Sequence, residues 1–162
     1  MKYTFEKAES EMQRIALNGA LAKKRVREEQ LGAIFAGDLL NQCIGSAYGL
    51  KSFGIPFTGL YGACSTMALG LISAATAIES GAARSALAVT SSHFCSSERQ
   101  FRFPLEYGGQ RPPTAQWTVT GSGAVVVGRH DNCFDSTISV KALTVGKIVD
   151  LKVTDMNNMG AA

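Results

Sequence analysis

From Phe5 to about Ala22 apolar residues return at helical spacing, through Phe5, Ala8, Met12, Ile15 and Ala16, with charges between them; this predicts an amphipathic surface helix. Leu31 to Ala36 is a short apolar run closed by Gly37-Asp38, the pattern of a buried strand. Leu39 to Phe53 returns to helical spacing and stops at Gly54, with Pro56 beyond it. A second strand follows at Phe57 to Tyr61. After Cys64 a helix rich in Ala, Gly and Leu runs to Ser80 and ends at Gly81, and small residues on most of its faces predict a buried element. Ser85 to Thr90 is a third strand, closing in the polar cluster Ser91-Ser92-His93. Strand and helix alternating from residue 31 to 93 predict an α/β fold with a mostly parallel sheet and right-handed crossovers.

Beyond His93 the periodicity fades. Residues 94 to 117 hold three of the chain's four prolines and a high density of Phe, Tyr and Arg, which predicts a long functional loop rather than a disordered one. Gly121 to Val127 and Ser136 to Val149 then read as strands, the second alternating through Ile138, Val140, Ala142 and Thr144.

The 162 residues, 46% of them apolar, are expected to form a single domain spanning 1–162. The net charge of +3 is dispersed apart from Lys23-Lys24-Arg25-Val26-Arg27, a cluster that suits a helix C-terminus and argues against a nucleic-acid partner. No apolar stretch approaches the ~18 residues of a membrane span, and the charged N-terminus lacks a signal-peptide core, so the chain reads as cytoplasmic. Cysteines at 43, 64, 95 and 133 have no zinc-site spacing. Neither a metal nor a cofactor is expected.

Tyr61-Gly62-Ala63-Cys64-Ser65-Thr66 places a thiol at the corner between strand and helix. Small residues before Cys64 allow a sharp turn, and the N-terminus of the following helix would favour a thiolate nucleophile there. The alternative is a Cys64 that merely fills space as a small hydrophobe. In an open parallel sheet ligands bind beyond the carboxyl ends of the strands, and the three loops there carry Asp38, Cys64 and His93. Asp38 has the competing role of capping the helix after it, and His93 that of bracing its loop. Glu98-Arg99-Gln100-Phe101-Arg102-Phe103, followed by Arg111, adds guanidinium groups among aromatics. Arg99 and Arg111 are therefore candidate ligands for a small planar anion, unless internal pairing with Glu98 or Glu106 uses them. Gly121-Ser122-Gly123 lacks the Lys-Ser/Thr of a phosphate loop and leads into a strand.

Phe35-Ala36-Gly37-Asp38-Leu39-Leu40-Asn41-Gln42, Gly62-Ala63-Cys64-Ser65-Thr66, Thr90-Ser91-Ser92-His93, the arginine segment through Pro104, Glu106-Tyr107-Gly108-Gly109-Gln110-Arg111-Pro112 and Thr118 to Val125 closely resemble the stage V sporulation protein AD family. The resemblance covers nearly the whole chain and implies a thiolase-like fold in spore-forming bacteria. It implies binding of dipicolinic acid, with its calcium, for uptake into the developing spore, beside membrane-embedded sporulation partners and peripheral to the spore inner membrane. Cys64 matches the thiolase nucleophile. In a thiolase fold the remaining catalytic groups come from a second half, so the chain is expected to be an N-terminal half, lacking also the family's segment before the first helix. Acyl transfer through Cys64 is the alternative activity, with an incomplete catalytic set. An uncovered face or edge would invite a homodimer, and a purely structural scaffold is the third possibility.

Overall fold

The computed structural model describes residues 4–40, 43–101, 118–129 and 138–154, with the side chains of 99–101 excepted. Helix α1 (Phe5–Lys24) is followed by strand β1 (Ala33–Gly37), helix α2 (Ile44–Leu50), strand β2 (Phe57–Gly59), helix α3 (Thr66–Glu79), strand β3 (Ser85–Ser92), helix α4 (Phe94–Phe101) and strand β4 (Gly121–Gly128). The sheet order is β2-β1-β3-β4. β1 runs parallel to both β2 and β3, and β4 closes the sheet antiparallel to β3 along its whole length, Ser85 facing Gly128 and Ser92 facing Gly121.

The chain steps outward from β1 to β2 through α2, then back past β1 to β3 through α3. Crossovers of one hand moving in opposite directions must lie on opposite faces. That is the arrangement here. Ile34, Ala36, Leu87 and Val89 pack with Leu17 and Leu21 of α1 and Leu50 of α2, while Ala33, Phe35 and Ala86 pack with Ala74 and Ile78 of α3. Strand side chains alternate between these two layers with the period of the pleat.

Thr4 caps α1, its hydroxyl accepting from Lys7 N at 3.2 Å, and Arg25 ends it in the left-handed conformation with φ 53°. The buried stripe of α1 is Glu9, Gln13, Leu17 and Leu21, four residues apart. The stripe expected from the apolar residues is displaced: Phe5 and Ile15 are exposed, because Glu9 and Gln13 make hydrogen bonds at the end of the sheet and so occupy its inner face. Close packing of α1 on α2 depends on Gly49, where a β-carbon would come within 2.6 Å of Ser10 O.

Four expectations need correction. α2 starts five residues later than its periodicity suggests, since Asp38 first draws Leu40 N into a turn and Cys43 adopts φ 53° before the helix begins. α3 buries only Thr66, Gly70, Ala74 and Ile78, so it lies on the sheet by one stripe instead of being enclosed. Residues 94–101 form a helix instead of loop, and residues 138–154 form no strand. The alternation after Ile138 finds no neighbouring strand among the described residues, and the whole segment is exposed. Gly54 (φ 63°) and Gly81 (φ 81°) stop their helices where the sequence indicates.

Candidate functional site

Cys64 stands on a single 3-10 turn, Ala63–Ser65, that runs directly into α3. Short polar side chains lace this turn to itself. Ser65 Oγ donates to Gly62 O at 2.6 Å, Thr66 Oγ1 donates to Ala63 O at 2.8 Å, and Gly62 N donates to Thr66 Oγ1 at 3.2 Å. Ala63 is held at φ 46°, a conformation that costs an L-residue about 1–2 kcal/mol. The result is an exposed thiol on a rigid corner.

The end of β1 supports that corner from below. Leu60 N donates to Ala36 O at 2.8 Å, and Leu60 O accepts from the thiol of Cys43 at 3.1 Å. Cys43 itself is buried; burial, and secondarily the negative charge of Asp38, push its pKa up. It is a structural thiol.

Asp38 is wholly buried, with Oδ1 accepting from Leu40 N at 2.9 Å and Oδ2 from Ser46 N at 2.7 Å and Ser46 Oγ at 2.5 Å. It caps the first turn of α2 from a distance, in place of Cys43, whose side chain makes no capping bond. His93 is half-buried against Phe5 of α1, ring centroids 5.1 Å apart and planes tilted 30°; its Nδ1 is buried and has no partner among the described residues. Of the arginines, Arg99 lies on α4, where its side chain is not described, and Arg111 falls outside the described residues.

The three loops of Asp38, Cys64 and His93 therefore leave the same edge of the sheet but not the same face. Asp38 continues the Ile34–Ala36 side and His93 the Leu87–Val89–Ser91 side, both facing α1, whereas Cys64 heads α3 on the other layer. Among the described residues no hydrogen bond joins Cys64 to Asp38 or His93. A cleft of about 480 Å³ between α1 and α2, lined in part by Lys7, Ile44, Tyr48 and Lys51, includes none of the expected site residues.

The main polar feature that sequence reasoning missed is a buried chain of hydrogen bonds at this edge. Gln13 Nε2 reaches Gly37 O at 3.1 Å, Ser46 Oγ at 2.9 Å and Ser91 Oγ at 2.8 Å. Ser91 Oγ donates to Glu9 Oε1 at 2.9 Å, and Ser96 Oγ lies 3.3 Å from Glu9 Oε2. Its one signal in the sequence is the i, i+4 spacing of Glu9 and Gln13 in line with Leu17 and Leu21.

The family model described as stage V sporulation protein AD matches residues 1–162. Stage V sporulation protein AD of Bacillus subtilis (strain 168) is 43% identical over 159 residues, covering 98% of this chain and 46% of that protein. The chain thus spans about half the length of the curated relative it matches. Among solved structures, 3-oxoacyl-[acyl-carrier-protein] synthase III from Aquifex aeolicus VF5 superposes with a TM-score of 0.57 at 19% identity, over 82% of this chain and 41% of that one. The corresponding synthase III of Pseudomonas aeruginosa PAO1 gives 0.55 at 21% identity, over 76% and 37%. OleA of Xanthomonas campestris gives 0.56 at 19%, over 74% and 40%. These likenesses show a thiolase-like fold.

Proposed function

Because the chain belongs to the stage V sporulation protein AD family, we propose that it binds dipicolinic acid, alone or as its calcium chelate, for uptake into the developing spore. Cys64 forms the floor of the binding site at the carboxyl edge, Arg99 and Arg111 take the two carboxylates of this planar ligand, and His93, on the α1 side of the sheet, bears on the site through its loop. Asp38 acts on the site by holding the loop after β1. The observation that carries the reading is the exposed, self-laced corner of Cys64 at the carboxyl edge, with no base bonded to the thiol among the described residues. Such a corner offers a fixed, exposed surface at the sheet edge where ligands of parallel sheets bind.

In this reading the protein works beside membrane-embedded sporulation partners. No helix among the described residues is long and apolar enough to cross a membrane, which suits a peripheral role. Calorimetric titration of dipicolinate into the full-length protein tests the proposal. Saturable binding is expected, weakened at least tenfold in Arg111→Ala and measurably in Cys64→Ala; unchanged affinity in both variants would remove this edge as the site.

The same exposed cysteine favours acyl transfer as the second reading. Intact-mass measurement after incubation with acyl-coenzyme A distinguishes the two, since a covalent adduct lost in Cys64→Ala supports transfer and its absence leaves the binding role.

A further inference from the structure

Glu9 is fully buried on α1, and its carboxyl oxygens meet the hydroxyls of Ser91 and Ser96. Each hydroxyl carries one proton. Ser91 Oγ lies 2.8 Å from Gln13 Nε2, which only donates, so the Ser91 proton goes to Glu9 Oε1 at 2.9 Å. Ser96 cannot be satisfied in the same way. Its oxygen lies 3.1 Å from His93 O and 3.3 Å from Glu9 Oε2, and a carbonyl oxygen only accepts. If Ser96 gives its proton to His93 O, an ionised Glu9 leaves the Ser96–Oε2 contact with no proton in it. A proton on Oε2 completes the chain: Glu9 Oε2–H to Ser96 Oγ, and Ser96 O–H to His93 O.

The surrounding charges act in the same direction. Burial raises the pKa of Glu9 most; bonds from Ser91 and Ser96 oppose this, and the negative charges of Asp38, in the loop after β1, and Glu6, on α1, add to it. From the loop after β3 comes His93, and from α4 comes Glu98, which accepts from Thr118 Oγ1 at 2.8 Å. Among the described residues, the two charged neighbours that act on Glu9, Asp38 and Glu6, are acidic, so neither offsets a negative charge on Glu9.

We propose that Glu9 keeps its proton to higher pH than an ordinary carboxyl and donates it to Ser96, and that this proton is a pH-sensitive latch tying α1 to the first turn of α4 at the carboxyl edge of the sheet. On ionisation, Oε2 and His93 O compete for the single proton of Ser96, and the turn that begins α4 loosens. Ser97 N donates to His93 O at 3.0 Å within that turn and reports its opening. α4 carries Arg99, so the latch governs where the arginine segment starts, whatever ligand that segment takes.

The linkage has a definite sign. A carboxyl whose pKa is raised on folding stabilises the closed state fully below its ordinary value, about 4.3, and that contribution is lost as pH rises through the raised value. Carbon-13 NMR on protein labelled at glutamate Cδ tests the proton directly. The Glu9 resonance is expected to keep the shift of a neutral acid to higher pH than the other glutamates, which titrate in the ordinary range; a Glu9 ionised along with them overturns the proposal. Hydrogen exchange at Ser97 N tests the latch: its opening equilibrium should grow about tenfold per pH unit until Glu9 ionises. Glu9→Gln, whose amide donates to Ser96 at any pH, should abolish that dependence. An opening equilibrium independent of pH in the unsubstituted protein also overturns it, even if Glu9→Gln fails to fold.

Discussion

Gly37 ends β1 so close beneath Thr66 that a β-carbon there would lie 2.5 Å from Thr66 Cγ2 and would overlap Leu60 O. The strand end and the Cys64 corner are therefore one packed unit. Gly37→Ala is expected to destabilise the protein by about 1–3 kcal/mol, as overpacking does, since both obstacles are fixed by their own hydrogen bonds. Chemical denaturation measures the loss. The same variant should alter the alkylation rate of Cys64, and an unchanged rate would show that the corner does not depend on β1.

Ala63 carries the backbone strain of that corner at φ 46°. Ala63→Gly removes a cost of about 1–2 kcal/mol and adds about 0.5–1 kcal/mol of unfolded-chain entropy, so a net stabilisation of about 0.5–1 kcal/mol is expected. A higher melting temperature confirms it. A lower one would mean that the turn relies on the alanine methyl group.

Asp38 satisfies two backbone N–H groups and one hydroxyl in a fully buried position. Asp38→Ala leaves these donors unpaired, and a loss above about 2 kcal/mol follows, larger than that of Ser46→Ala, which removes only the hydroxyl. Equal losses in the two variants would contradict the remote capping of α2.

Thiol labelling separates the cysteines by environment. Cys64 is exposed, whereas Cys43 is buried, bonded to Leu60 O and raised in pKa by burial. With iodoacetamide at pH 8, peptide mapping should find Cys64 modified well before Cys43 in the folded protein, and the difference should vanish in denaturant. In the folded protein the rate at Cys43 should go on rising with pH beyond the point where an ordinary thiol levels off, because its thiol ionises above the ordinary range.

The limits of the local pattern show on α1 and after β4. Apolar spacing located the α1 helix but misplaced its inner face, because Glu9 and Gln13 are buried by hydrogen bonds to Ser91, Ser96 and Gly37, residues distant in the sequence. Residues 138–149 have the alternation of a strand, but a strand also needs a partner and a covering layer, and neither lies beside them among the described residues. For the expected site, spacing indicated the loops of Asp38, Cys64 and His93, and the sheet placed all three at one edge.

By itself, then, the sequence determined the order of strands and helices from α1 to β3, the strand β4, the carboxyl-edge loops and the turn residues around Cys64, but not α4. These depend on side-chain periodicity and local backbone preference, which act over a few residues. The tertiary structure alone decided that Asp38 and His93 face α1 while Cys64 heads the opposite layer, and that Glu9 is buried among hydroxyls. Those outcomes depend on which face each crossover takes and on hydrogen bonds spanning up to 87 residues of chain, as between Glu9 and Ser96. No short stretch of sequence encodes such distances; they arise only when the layers close on one another.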